Sequence, residues 1–275
     1  MHKRSAVLVL LIMCVGVVLS AKADETEPRT ARDIVKYCEY KNPGNDQRSH
    51  LTIILTDKDG SEKKNVYRRL WKNYKGNDGI DTKMMLFTEF PPDAEGVGFM
   101  RWAYTSNADK NADQWIYLPT LKKIRRVSVR DPGDSFLGSD LTYFDISGRS
   151  IDADDYKITK TERSGNNDVI VIESTPHEDS SSLYSRVVSY YVKGVGSSWD
   201  TCVKRQAEYY DKKGEPLKQQ VITWQQVKDA WVWDEMKVHN LQTDHSSTFQ
   251  ITDVQINVGL DNDMFSERNL QRPPH

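Results

Sequence analysis

The sequence has 275 residues, with 38 lysines and arginines against 40 aspartates and glutamates and a formal net charge of −2. Near-neutrality excludes a chain built to neutralise a polyphosphate backbone, so nucleic acid is not expected as the main partner. The length allows one large β domain or two smaller ones.

The chain opens with His2, Lys3 and Arg4, continues through an apolar run over 6–19, and reaches Ser20-Ala21-Lys22-Ala23. Basic, apolar and small residues in that order form a secretory signal peptide, with cleavage expected between Ala23 and Asp24. The apolar run is shorter than the roughly 20 residues that a spanning helix requires. Cys14 lies inside the run without the small residue before it that lipoprotein processing expects, so the mature chain reads as free and unlipidated. Cleavage removes Lys3, Arg4 and Lys22 and no acid, which takes the formal net charge from −2 to −5. Two cysteines remain, Cys38 and Cys202. In an oxidising compartment they either pair or stay as two buried thiols, and sequence leaves both open.

The spacing predicts a helix over 30–40, capped by Thr30 with Asp33 at the third position and Ile34, Val35 and Cys38 on one face. The cluster Asn42-Pro43-Gly44-Asn45 stops it. Strands then follow at 50–56, 65–74, 83–90, 98–105 and 113–118, and again at 156–163, 168–175, 185–193, 201–210, 217–227, 231–239 and 247–258. Turns such as Asp57-Lys58-Asp59-Gly60 and Asp211-Lys212-Lys213-Gly214 separate them. About a dozen strands at this spacing suit a meandering antiparallel sheet or barrel. No break in composition divides them, so residues 24–275 read as one domain after a signal peptide over 1–23. Many strands carry aromatic or branched residues on one face and polar residues on the other, as a curved sheet around an interior requires. In 217–227, Ile222 and Trp224 are expected on the face opposite Val221, Thr223 and Gln225.

Catalytic signatures are missing: no Gly-x-Ser-x-Gly elbow, no His-Glu-x-x-His helix, no phosphate-binding glycine loop and no Cys-x-x-Cys. His50, His177, His239, His245 and His275 show no ligand spacing, and Asp152, Asp154 and Asp155 do not match a calcium loop. No metal, cofactor or enzyme activity is expected.

Two segments are too unusual to be generic. The first runs Trp115-Ile116-Tyr117-Leu118-Pro119-Thr120-Leu121-Lys122-Lys123-Ile124-Arg125-Arg126, an aromatic strand broken at a proline and followed by a basic stretch. Its bland reading is a basic outer strand. The sharper one has Lys122, Lys123, Arg125 and Arg126 meeting an anionic headgroup or a partner. The second runs Asp134-Ser135-Phe136-Leu137-Gly138-Ser139-Asp140-Leu141-Thr142-Tyr143-Phe144-Asp145, where Gly138-Ser139-Asp140 is expected to cap a short helix presenting Leu141 and Phe144. That helix is either a filler of the barrel mouth or a gate.

The order W-x-Y-L-P-x-x-K-K-x-R-R, then S-F-x-G-S-D-x-T-Y-x-D, resembles the outer-membrane lipoprotein-sorting family related to the LolA and LolB carriers, as does the ending Asp263 to Leu270. The resemblance covers essentially the whole mature chain. It implies a half-open antiparallel β-barrel whose concave apolar face is covered by helices. It further implies a monomeric periplasmic carrier that takes a lipid or a lipoprotein acyl chain from an inner-membrane lipid exporter to an outer-membrane acceptor. A lipid-sensing regulatory protein on the same fold is the alternative. The family motif residues are Phe136, Gly138, Ser139, Asp140, Thr142, Tyr143 and Asp145, with no chemical role attached to any of them. Leu51, Ile53, Leu55, Met84, Leu86, Trp102, Trp115, Tyr117 and Trp224, with Leu141 and Phe144 of the lid, are expected to line the interior. Exposing an acyl chain of about 15 methylenes costs on the order of 12 kcal/mol at roughly 0.8 kcal/mol each, so an apolar container is required.

Overall fold

The computed structural model describes residues 30–272 except 109, 128–130, 148, 179–180 and 195–198. The signal peptide and its cleavage point at Ala23 and Asp24 lie outside the described residues.

Helix α1 (Ala31–Glu39) begins where expected. The Thr30 hydroxyl accepts from the Asp33 backbone N–H while the Asp33 carboxylate accepts from that of Thr30, so two otherwise orphaned donors are satisfied. Thirteen strands follow: β1 (Asp46–Thr56), β2 (Glu62–Asn73), β3 (Ile80–Phe90), β4 (Gly98–Tyr104), β5 (Asp113–Leu118), β6 (Lys123–Val127), β7 (Asp154–Ser164), β8 (Asn167–Pro176), β9 (Arg186–Lys193), β10 (Val203–Tyr210), β11 (Pro216–Val227), β12 (Ala230–Asn240) and β13 (His245–Ile256). A short helix α2 (Glu267–Gln271) ends the described chain.

All thirteen strands form one antiparallel sheet in the order β6-β5-β4-β3-β2-β1-β13-β12-β11-β10-β9-β8-β7. The chain starts in the middle at β1 and meanders outward to the edge at β6. The connection of residues 128–153 carries it to the opposite edge at β7, and it then meanders back until β13 closes against β1. The sheet does not close, since β6 and β7 are its free edges; it is the half-open antiparallel sheet that was expected. Hairpin chemistry sets the registers. At the β1–β2 turn, Gly60 takes φ +82° and its N–H donates to the Asp57 carbonyl, a conformation that a Cβ disfavours.

Three apolar clusters hold the sheet. On the inner face Leu51, Ile53, Leu86, Phe99, Val232, Val238, Phe249 and Ile251 pack around Phe136 and Leu141 of the crossover. On the outer face of β2–β6, Leu70, Met85, Phe87 and Met100 are covered by Leu260, Phe265 and Leu270 of the C-terminal segment. Gly98 allows that segment to approach, because a Cβ there would lie 2.7 Å from Leu270 Cδ1. On the other half, Ile34, Val35 and Cys38 of α1 pack on Ile170, Ile172 and Tyr191. There Cys38 and Cys202 form a disulfide with Cα atoms 5.0 Å apart, so the sequence's open question resolves as a pairing.

Two local expectations are corrected. No helix follows Gly138-Ser139-Asp140; residues 134–147 form consecutive turns with a bridge between Ser135 and Thr142. The Ser139 hydroxyl donates to the Phe136 carbonyl at 2.6 Å, and the Asp140 carboxylate is taken by β13, so neither side chain caps a helix. In β11 a bulge between Ile222 and Trp224 interrupts the alternation. Lys218, Gln220 and Ile222 are buried and Val221 is exposed, while Trp224 is only half-buried.

Candidate ligand-binding site

The crossover is held on the inner face by two carboxylates of the motif. Asp140 accepts from Ser247 Oγ at 2.6 Å and lies 2.7 Å from His245 Nδ1, both on β13. Its backbone N–H donates to Ser247 Oγ at 3.0 Å. Asp145 accepts from the Thr142 N–H and hydroxyl at 2.7 and 2.9 Å, from the Tyr184 hydroxyl at 2.5 Å, and from Lys218 Nζ of β11 at 2.5 Å. Lys218 also donates to the Asp140 carbonyl at 3.0 Å, and its ammonium lies 5.3 and 5.2 Å from the ring centroids of Tyr184 and Tyr209. The Lys218 and Asp145 side chains are only 2% and 6% exposed. Charges so far from water persist only when paired and hydrogen-bonded throughout, as here. Phe136 adds edge contacts to Phe99 and Tyr143. The motif residues Phe136, Ser139, Asp140, Thr142, Tyr143 and Asp145 thus fasten the crossover, and Gly138 supplies a φ of +78° for its turn.

Beside this plug lies a cavity of about 380 Å³. Val35 and Glu39 of α1 with Tyr40 at its C-terminal end form one wall, Phe144, Arg149 and Ile151 of the crossover another, and β7–β10 with the segment before β9 supply Tyr156, Pro176, Tyr184, Val187 and Tyr209. Phe144 meets Tyr184 edge-on at 5.8 Å, and Tyr184 meets Tyr209 at 4.9 Å, which makes a continuous aromatic surface. Burial, reinforced by the Asp145 carboxylate, pushes the Tyr184 phenol well above its ordinary range; burial does the same to Tyr156 and Tyr209. These phenols stay neutral and present apolar rings to the hollow. The charges at its rim are paired: Lys204 with Glu39 at 3.1 Å and Arg149 with Asp154 at 2.7 Å.

Of the residues expected to line an interior, Phe144 lines this cavity. Leu51, Ile53, Leu86 and Leu141 are buried in the packed cluster beneath the crossover, with Leu55 and Met84 partly buried against it. That side of the barrel is filled by the chain itself. Trp102, Trp115 and Tyr117 lie on the outer face against the C-terminal segment. Alternation told the two faces of each strand apart, but β3–β5 are covered on both, so it did not tell inner from outer. Trp224 donates its indole N–H to the Lys204 carbonyl at 2.7 Å, a brace between β10 and β11. Lys122, Lys123, Arg125 and Arg126 are exposed at and just before the edge strand β6, and Arg126 pairs with Asp113. They do not line the cavity. Sequence reading missed Arg101, Arg149, Tyr184, Tyr209 and Lys218. For two of these a signal existed: Arg101 alternates with Phe99 and Ala103, and Lys218 with Ile222, so each puts a charge on an apolar face. Among the described residues no group of three or more His, Cys, Asp or Glu side chains is placed to hold a metal ion.

An open antiparallel sheet wrapped around its own crossover, with a helix-walled cavity beside it, defines the class as a LolA-like half-open barrel. The comparisons agree. A family model described as an uncharacterized protein matches residues 80–272. A Vibrio parahaemolyticus structure described as an outer membrane lipoprotein-sorting protein domain is 25% identical with a TM-score of 0.72, over 88% of this chain and 98% of that one. A DUF1329 family protein from Desulfovibrio piger is 23% identical with a TM-score of 0.72, over 87% and 95%. A LolA superfamily protein from Nitrosomonas europaea shares the fold at 17% identity and a TM-score of 0.61, over 88% and 99%. No curated protein matches the sequence. The chain belongs to the family whose model matches residues 80–272, and its fold is the LolA-like one of these neighbours.

Proposed function

We propose that the protein is a periplasmic carrier that holds the apolar part of a lipid, or a lipoprotein acyl chain, in the aromatic cavity between α1 and the crossover. It hands this cargo from an inner-membrane donor to an outer-membrane acceptor without chemical change. The observation that supports this reading is the cavity itself. Its 380 Å³ falls within the roughly 300–1,000 Å³ of small-molecule sites. Its walls combine the rings of Tyr40, Phe144, Tyr156, Tyr184 and Tyr209 and the branched Val35, Ile151 and Val187 with several serines, and Lys204 and Arg149 at its rim are paired with Glu39 and Asp154. The Cys38–Cys202 disulfide and the signal-peptide pattern both suit an oxidising envelope compartment. The described residues include no helix long and apolar enough to cross a membrane.

Native mass spectrometry of protein purified from its own envelope, followed by lipid extraction, tests the reading. The expected result is a lipid released in stoichiometric amount. Phe144→Asp is expected to weaken lipid capture at least tenfold while leaving the sheet folded, because a carboxylate in an aromatic wall must be desolvated on binding. Capture unchanged by that substitution rules out this cavity.

A further inference from the structure

A second cavity, of about 440 Å³, lies against the aromatic one and shares Phe144, Ser147, Arg149 and Ser150 with it. Its chemistry is different. Arg101 of β4, Lys110 and Arg149 line it, together with the hydroxyl-bearing Tyr104, Thr105 and Ser106. None of its described lining residues is acidic. Two of the cations already have carboxylate partners: Lys110 pairs with Asp113 and Arg149 with Asp154. Arg101 differs. Its residue is 7% exposed, it makes no direct ion pair among the described residues, and its Nη2 donates only to the Ser147 hydroxyl at 3.1 Å. Its buried Nε has no partner at all.

A buried guanidinium held by a single hydroxyl is costly unless something more accepts from it. Burial lowers the Arg101 pKa to about 10, with Asp81 acting in the opposite sense, so the group still carries its charge at neutral pH. Arg is suited to such a place because its planar fork offers parallel donors to a carboxylate or phosphate.

We propose that this second cavity is an anion subsite in which Arg101, assisted by Lys110 and Arg149, takes the phosphate of an anionic amphiphile whose apolar part lies in the aromatic cavity next door. The inference deepens the carrier reading and rests on it for the apolar half of the ligand. It names the cargo class as phosphate-bearing lipid, and it places headgroup recognition inside the barrel, away from the exposed basic strand β6.

The test measures binding of three probes to the intact mature protein: dioctanoyl phosphatidic acid, dioctanoylglycerol with the same chains and no phosphate, and inorganic phosphate. The expected result is at least tenfold tighter binding of the phosphatidic acid than of the diacylglycerol. Arg101→Gln is expected to remove most of that preference without weakening the diacylglycerol. Because Arg101 is buried, the exposed Lys110→Gln serves as a second variant that leaves the core untouched; a severalfold loss confined to the phosphate-bearing probe is expected. Binding of both lipids with equal affinity overturns the subsite and leaves the carrier reading standing. Inorganic phosphate binding that depends on Arg101, with neither lipid bound, supports the anion subsite with free phosphate as its source and removes the carrier reading. Binding of none of the three removes both.

Discussion

Replacing Lys218 with Met tests whether the crossover is held by its buried ion pair. Lys218 Nζ lies 2.5 Å from Asp145 Oδ2 and 3.0 Å from the Asp140 carbonyl, with the pair almost wholly out of water. The substitution keeps most of the side-chain volume and leaves the Asp145 carboxylate buried with only neutral donors, from Thr142 and Tyr184. Removing one member of a buried pair costs about 3–5 kcal/mol, because the other charge stays behind without compensation. At about 2–4 °C per kcal/mol for a chain of this size, Tm should fall by roughly 6–20 °C. The apolar contribution of the crossover sets a scale for comparison: Phe136 and Leu141 bring roughly 1.5–3 kcal/mol each, so ionic and apolar fastening are of similar weight. Circular dichroism melts of the wild type, Lys218→Met, Asp145→Asn and the double variant measure the effect. The double variant should be more stable than the sum of the single losses implies, since it leaves no lone charge. A single-variant shift below about 2 °C, or strictly additive losses, would refute the reasoning.

Three further outcomes are expected. Reversing Lys122, Lys123, Arg125 and Arg126 to Glu should move stability by less than about 2 kcal/mol in total, since exposed sites contribute about 0.5 kcal/mol each; a chain that no longer folds would make this strand structural. The raised phenol pKa values of Tyr184, Tyr191 and Tyr209 belong to the folded state alone. The unfolded chain therefore loses those protons first, so their contribution is intact below the unfolded value of 10.0 and is lost as pH rises above it. An absorbance titration should show tyrosinate appearing together with unfolding, and full tyrosine ionisation in a still-folded protein would contradict the burial. Finally, Cys38→Ser with Cys202→Ser opens a loop of sequence separation 164 and should cost about 2–5 kcal/mol by the chain-entropy argument, read from denaturant midpoints.

Elements governed by local rules were legible in the sequence, and placements governed by long-range packing were not. The capping box of α1 and the hairpin turns are short-range chemistry, and α1 and the twelve expected strands appeared within a few residues of their expected bounds, whereas β6 and α2 were not foreseen. The curved antiparallel sheet followed from alternation and from the family motifs. The crossover defeated the same rules, because Gly138-Ser139-Asp140 has the composition of a helix cap and yet the Asp140 carboxylate is captured by Ser247 and His245, more than a hundred residues away. Trp102 and Trp115 misled for a related reason: β3–β5 carry apolar residues on both faces, since the crossover covers one and the C-terminal segment the other.

That double covering also bears on how the proposed carrier would work. The hollow beneath the crossover is occupied by Phe136 and Leu141, so cargo is left the space beside α1 unless the crossover moves. Phe144 and Asp145 are adjacent in the chain, one lining that space and the other holding the lock on Lys218. A ligand that displaces Phe144 therefore pulls on the carboxylate that keeps the plug in place. Coupling between filling the cavity and loosening the crossover requires only that the two arrangements differ by less than the differential affinity of the cargo. On this argument Lys218→Met should raise access to the inner hollow as well as lower stability, and a variant that melts earlier yet binds no more apolar dye than the wild type would separate the lock from the plug.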